Sequence, residues 1–305
     1  MSTPADARPP SAPPPSAPSP SALPDDVAQR VELSERDAYA AFAEAAQAAG
    51  HDDLLTLRRG NALALALPAA RGTLVLNRVL CLGLTTAQEQ TAEGAADGAA
   101  SEADLDALAD FYRAHRLPWG LEYGPAQQPA ALKDWLRQRR IRRTQASTLL
   151  IRRCDTPLPA PASDCTLTIR RWQPEDADAG ARLAADVFGL PEPFIPLLAS
   201  LNRHPRWRQW LALEDGRVVA TSLLYLGDDM AWIGWGATLD GYRGRGIHPA
   251  LLAARLQDAA AHGCRWLSSE TASGTPAQPD PSLRNLVRMG FTPVHQRHTH
   301  VCVGG

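Results

Sequence analysis

The chain is poor in the residues that crosslink a fold. Its 305 residues include only five cysteines, Cys81, Cys154, Cys165, Cys264 and Cys302. They are odd in number, widely spaced and never in a CxxC pair. That argues against a disulfide framework and a cysteine zinc site, and fits a reducing cytoplasm. No stretch reaches the ~18 apolar residues a membrane helix needs. The opening residues read Pro, Ala and Ser, without the apolar core of a signal segment. Neither sign of charge dominates: 31 Lys and Arg stand against 33 Asp and Glu, a formal net charge of -2. No global field therefore draws nucleic acid or anionic membrane. The one dense basic run, Arg137–Arg143, reads as the solvated end of a helix and the start of a strand. There is no GxxxxGK[ST], and no GxGxxG with an acidic residue about twenty positions on. No Ser-His-Asp or paired-carboxylate arrangement is evident either. The expectation is a cytoplasmic chain whose partners are neither nucleic acid nor membrane.

What is present is ample apolar material, 45% of the chain, enough for about two domains of ~150 residues. Residues 1–28 are low in complexity and rich in Pro, Ala and Ser, which predicts a disordered tail. Residues 29–155 read as a first domain. Tyr39, Phe42, Ala43 and Ala46 have helical spacing. Ala62–Leu67 and Thr73–Leu84 suit strands, and Thr85–Ala100 suits a loop. Ser101 and Asp104 resemble a capping box ahead of a helix carrying Leu105, Leu108, Phe111 and Tyr112. Strand Pro118–Tyr123, a helix with Leu132, Trp135 and Leu136, and strand Thr144–Ile151 complete the unit. A proline-rich linker, 156–163, marks a boundary.

Residues 164–305 form the denser second domain. Thr166–Trp172 suits a strand, and Pro174–Asp176 opens a helix with acidic residues in its first turn. Glu214-Asp215-Gly216 is a hairpin turn between Trp210–Leu213 and Val218–Leu226. Strand Met230–Ala237, loop Leu239–Gly246, helix Pro249–His262, strand Cys264–Ser269, helix Pro281–Met289 and a strand through Val301 follow. Each half ends in the order strand, loop, helix, strand, helix, strand, which predicts a degenerate internal duplication.

The segment with the most chemistry is Gly234–Leu252. A strand ends, a short loop rich in Gly and Arg follows, and a helix begins. Gly244 and Gly246 let the backbone approach a ligand and adopt positive φ. The first helical amides have no internal partners, and the helix dipole favours an anion there. Arg243 and Arg245 would add charge-assisted contacts. Pro249 fits the first turn, and Ile247, Leu251, Leu252 and Leu256 would anchor the helix. On the loop alone, a strand-to-helix turn with two solvated arginines explains these residues equally well.

With its neighbours the loop says more. YRGRGI, then a helix, a strand and SLRNLVRMGF, resembles the core of the GNAT N-acetyltransferase family over roughly Thr166–Val301. The family pattern [Q/R]-x-x-G-x-[G/A] places Arg243 first and Gly246 at the glycine, with His248 where the family has Gly or Ala. The first half resembles a degenerate copy without RxxGxG. The resemblance implies an α/β (α+β) acyl-CoA N-acyltransferase fold, duplicated, with a mixed central sheet flanked by helices.

It further implies acetyl-CoA as acyl donor, held between strands Met230–Thr238 and Cys264–Glu270, and no metal. Ala237 and Thr238 would pair with the pantetheine arm. The amides of Arg243, Gly244, Arg245, Gly246, Ile247 and His248 would hold the pyrophosphate. Asn285 would hydrogen-bond cofactor or substrate, and Glu270 would be the base that deprotonates an amine. The acceptor would be an amine on a small molecule or protein, and a homodimer is an option. Relatives place a general-acid Tyr four residues before Gly290. Here that position is Leu286, which keeps a non-catalytic acyl-CoA-binding or scaffold module open as the alternative. The cluster Trp207, Trp210, Trp232 and Trp235 is read as core before acceptor pocket. His295, His298 and His300 are read as an exposed strand before a metal site. Acceptor shape would depend on loops such as 188–206.

Overall fold

A computed structural model describes residues 23–84, 100–125, 130–159, 167–275, 277–278 and 280–303. Most of the expected tail, the Thr85–Ala100 loop except its last residue, and the second half of the linker lie outside them. The strands of the described residues join one mixed sheet of eleven. In chain order the elements are α1 (Val27–Ala48), β1 (Leu55–Arg59), β2 (Ala62–Ala66), β3 (Arg78–Leu80), α2 (Glu102–Ala114), β4 (Trp119–Tyr123), α3 (Ala130–Gln138) and β5 (Arg142–Arg153). The second half supplies β6 (Thr168–Arg171), α4 (Ala177–Phe188), α5 (Phe194–Ser200), β7 (Trp207–Glu214), β8 (Arg217–Tyr225), β9 (Met230–Thr238), α6 (Ile247–Ala261), β10 (Trp266–Ala272), α7 (Pro281–Arg288) and β11 (Thr292–Cys302).

Local chemistry explains most of these boundaries. Ser101 and Asp104 form a reciprocal capping box at α2. Asp215 and Gly216 take φ of 49° and 80° in the β7–β8 hairpin, the positive values a two-residue turn requires. Expected strand Thr73–Leu84 shrinks to Arg78–Leu80. The Asn77 side chain holds the carbonyls of Ala70 and Thr73 and the Leu67 amide, which folds residues 70–77 into turns. Segment 188–206 carries helix α5 where a loop was expected, its Phe194, Leu197 and Leu198 buried. Arg137–Arg143 spans the end of α3 and the start of β5, where Arg139 stacks on Trp135 and pairs with Asp106. No helix among the described residues is long and apolar enough to cross a membrane.

The order β1-β2-β3-β4-β11-β5-β10-β9-β8-β7-β6 shows how the halves interlock. The last strand of each half lies against the other half. β5 pairs antiparallel with β10, and β11 pairs antiparallel with β4. β5 and β11 also pair with each other at the centre. Helix α1, from the first half, packs across β9, β10 and β5. Its Tyr39 and Phe42 enter one core with Trp207, Trp232 and α5. On the opposite face, α6 and α7 bury Leu252, Leu256, Leu286 and Phe291 against Ile233 and Leu267.

Candidate active site

Strands β9 and β10 run parallel and in register from Met230↔Trp266 to Ile233↔Ser269, and there their pairing ends. Beyond that point each follows its outer neighbour. β10 continues along β5 through Ala272↔Ser147, and β9 stays on β8 through Thr238↔Ala220. The cause is a bulge in β9. Gly234 opposes Leu223 and Ala237 opposes Thr221, so β9 carries one extra residue there. Trp235 within the bulge adopts φ of 54°. A bulge bends its strand and increases the local twist, here away from β10. The inner edges of both strands are left without a ladder partner. Ser269 closes the apex, its hydroxyl donating to the Ile233 carbonyl at 3.1 Å.

The gap lies in a cavity of about 460 Å³ whose lining comes from both faces of the sheet. Ile233, Gly236, His248, Arg255, Ser282 and Leu286 line the α6–α7 side. Tyr39, Phe188, Leu190, Trp232, Trp235 and Glu270 line the α1–α4 side. Glu270 belongs to the second side by strand alternation: Ser268, two residues earlier, bonds to Ser34 of α1. Its charge also reaches α1. Burial first, then the nearby Glu270 and Glu122 charges, push the Glu35 carboxyl up to about 7 against the pull of Arg297 and Arg78.

At the wide end of the gap lies the Gly- and Arg-rich loop. Asp240–Tyr242 make one 3-10 turn. Gly244 and Gly246 then take φ of 78° and 73°, and α6 starts at Ile247 with no side-chain cap. A β-carbon at either glycine would strain a left-handed backbone. Uncapped first-turn amides and the positive end of a 15-residue helix suit an anion. Arg243 pairs with Asp240 at 2.9 Å, and Arg245 with Glu214 at 2.6 Å. Both pairs are solvent-exposed, where such contacts are worth ~0–1 kcal/mol, so an incoming phosphate can exchange with the acids. Ile247 is buried against Ala212, Val219 and Leu251 and serves as the anchor of the helix.

Three expected residues sit less directly. Ala237 and Thr238 lie past the bulge, on the part of β9 that β8 pairs. Asn285 is on α7 outside the cavity lining, where Ser282 and Leu286 are the helix's contributions. His248 does face the cavity, beside Gly236. Burial, with the Arg255 charge, pulls its imidazole down to about 4, so it is neutral at physiological pH, and its Nδ1 has no partner among the described residues. Among the tryptophans, Trp207 and Trp232 are core, Trp232 and Trp235 also line the cavity, and Trp210 donates to Asp258. His300 is buried and stacked on Tyr123. Among the described residues no group of His, Cys, Asp and Glu could hold a metal ion.

The sequence reading missed Tyr39, Arg78 and Glu122, which reach the cavity from the first half, and Arg255. The first three carry no local signal, since strand exchange brings them there. Arg255 did carry one: it stands at i+4 from Leu251 and i+3 from Leu252, on the buried stripe of α6, where an arginine is out of place. Gly234 shapes the other wall. A β-carbon there would meet the Trp232 ring at 2.1 Å, and that ring is itself wedged against Tyr39 and Trp207. Gly234→Ala should therefore destabilise the fold by about 1–3 kcal/mol in urea titration, the usual cost of overpacking. An unchanged midpoint would mean that the ring is free to move.

Comparison with known proteins agrees with this architecture. A family model, the Acetyltransferase (GNAT) family, matches residues 169–291. No curated protein matches the sequence. Among solved structures, a GCN5-related N-acetyltransferase from Kribbella flavida is similar with TM-score 0.60 and 16% identity, over 92% of this chain and 96% of that one. A tandem GNAT protein from the clavulanic acid biosynthesis pathway is similar with TM-score 0.56 and 15% identity, again over 92% and 96%. A GCN5-related N-acetyltransferase from Sphaerobacter thermophilus gives TM-score 0.53 and 22% identity over 66% of this chain and 65% of that one. At these identities the likeness is one of fold.

Proposed function

Taking as premise that the chain carries a GNAT-family domain over residues 169–291, we propose that it is an N-acyltransferase that moves an acyl group, acetyl in the simplest case, from coenzyme A to an amine. The observation that supports this most is the parting of β9 and β10 after Ile233↔Ser269. It offers two unpaired backbone edges to a pantetheine arm, and it leads from an uncapped helix N-terminus to a cavity that crosses the sheet. The donor enters from the α6–α7 side, with its pyrophosphate on the loop amides of 243–248. The acceptor enters from the α1–α4 side, past Phe188 and Trp235.

In this reading a protonated amine gives its proton to Glu270, directly or through water. The free amine nitrogen bonds to the thioester carbonyl carbon, and the carbon–sulfur bond breaks. The electron pair leaves on sulfur, and the newly bonded nitrogen sheds its extra proton, which the departing coenzyme A thiolate takes up, directly or through water. The protein's tasks are positioning and removal of the amine proton. Leu286 offers no hydroxyl to the departing sulfur, which favours water in that role or a binding-only module as the second reading.

Turnover of acetyl-CoA against a panel of primary amines tests the proposal. The expected result is an accepted amine, and a Glu270→Gln variant whose kcat falls by about 100-fold or more with little change in the KM for acetyl-CoA. Equal rates in both proteins would remove Glu270 from the mechanism. Binding of acetyl-CoA without turnover on any amine would favour the binding module.

A further inference from the structure

Arg255 is 2% exposed, yet it has no acidic partner among the described residues. The other deeply buried arginines differ. Arg78 and Arg297 are matched to glutamates. Arg152 spends its nitrogens on four carbonyls, those of Met289, Arg153, Thr156 and Pro157. On Arg255, Nε donates to the Leu251 carbonyl and Nη1 to the Leu223 carbonyl, the latter at a long 3.3 Å. Nη2 makes no hydrogen bond within the described residues, and the side chain lines the cavity. Burial alone pulls its guanidinium down to about 9, with no acid opposing the shift, and it remains charged at neutral pH. A buried cation without a counter-ion is costly, and it is ordinarily retained only where an anion completes it.

Its place says which anion. Arg255 stands nine residues along α6 from Gly246, about 13 Å at 1.5 Å per residue. Leu223, which holds Nη1, is in register with Gly234, one residue past the end of the β9–β10 pairing. The guanidinium is thus beneath the apex of the gap on the α6–α7 side, at the far end from the pyrophosphate loop. The acceptor side has its own charges, Glu270, Glu122 and an Arg78 already neutralised by Glu35 and Glu122. Resting on the reading of the gap as a coenzyme A thioester site, we infer that Arg255 receives the terminal carboxylate of the acyl group, so that the donor is a dicarboxylic monothioester such as succinyl-CoA. The reaction is otherwise the transfer described above: nitrogen–carbon bond made, carbon–sulfur bond broken, and the distal carboxylate unchanged throughout.

Calorimetric titration of the full chain with succinyl-CoA and butyryl-CoA tests this. The two acyl chains are matched in length and differ by carboxylate against methyl. The native protein should bind succinyl-CoA about 10- to 100-fold more tightly, the range of a charge-assisted hydrogen bond gained in a buried site. Arg255→Met, which keeps the apolar stem, should bind the two equally, and Arg255→Lys should keep part of the preference. Equal binding by the native protein overturns the inference. So does a preference that survives in Arg255→Met, since another group is then reading the carboxylate. If Arg255→Met does not fold by circular dichroism, the native ratio and Arg255→Lys decide. If succinyl-CoA, butyryl-CoA and free coenzyme A all fail to bind, the thioester-site reading itself falls, a result distinct from binding without preference.

Discussion

Arg297→Met should lower the unfolding free energy by about 3–5 kcal/mol, the range for removing one partner of a buried ion pair. Arg297 is 1% exposed on β11 and reaches Glu32 at 2.9 Å, Glu35 at 2.7 Å and Glu122 at 2.8 Å. Those carboxylates come from α1 and β4, so a single guanidinium ties the second half's last strand to two elements of the first. Three buried glutamates face two arginines, Arg297 and Arg78, with His295 at 2.8 Å from Glu32. Methionine at 297 would leave all three acids to Arg78 and His295. Glu35→Gln should be far milder, because removing one acid brings the remaining charges into balance. Urea titration of both variants checks the contrast; a loss below about 1 kcal/mol for Arg297→Met would mean that water or rearrangement replaces the guanidinium.

The pH dependence has a definite sign. Burial is the largest single influence and works to raise Glu32 and Glu122, but Arg297 and His295 together outweigh it for Glu32, as Arg78 and Arg297 together do for Glu122, and both end below their ordinary value of 4.5. A depressed carboxyl contributes stability above its unfolded value and loses it as pH falls through the folded one. The gap in stability between native protein and Arg297→Met should therefore be widest near neutrality and shrink below pH 4.5. Glu35, raised to about 7, runs the other way. Its contribution is present below 4.5 and is lost as pH rises through about 7, so the native curve should fall between those values, where Glu32 and Glu122 alone would leave it level.

The same cluster explains where sequence reasoning stopped. The second half was legible because its cues are local: a type of turn at Asp215-Gly216, glycines where φ must be positive, an apolar stripe on α6, a helix stopped at Gly290. Each needs only a few neighbouring residues to be read. The family resemblance pointed to the loop and Glu270; Glu270 and His248, at the loop's end, both line the cavity. Strand exchange was invisible because β5 and β11 have the same apolar alternation whichever sheet segment they join. Glu32 and Glu35 carry no local cue of burial, since the arginines that pair with them stand far away in sequence, at 297 and 78. The contributions of Tyr39, Arg78 and Glu122 to the cavity depend on that exchange and were lost with it. The positions of Ala237, Thr238 and Asn285 came from the family pattern alone, while the bulge at Trp235 decides which backbone edges are left unpaired, and α7 presents Ser282 and Leu286 to the cavity.

Gly246→Glu should abolish binding of coenzyme A thioesters, with affinity falling by more than about 100-fold in calorimetry. Gly246 has φ of 73° and is the cap of α6. A side chain there costs ~1–2 kcal/mol of backbone strain, which alone would weaken binding only through stability. The larger effect is local: a carboxylate would project over the uncapped amides and occupy the place proposed for the pyrophosphate. That same carboxylate complements the positive end of the helix, worth about 0.3–1 kcal/mol, and lies within reach of Arg243 and Arg245. The two terms offset each other in part, so the variant should remain folded with a melting midpoint within a few degrees of the native one. Gly246→Ala supplies the strain without the charge and should keep most of the affinity. If Gly246→Ala and Gly246→Glu lose affinity equally, the glycine acts through loop shape and the anion site lies elsewhere. If neither loses affinity, the thioester does not touch this helix, and the parted strands hold some other molecule.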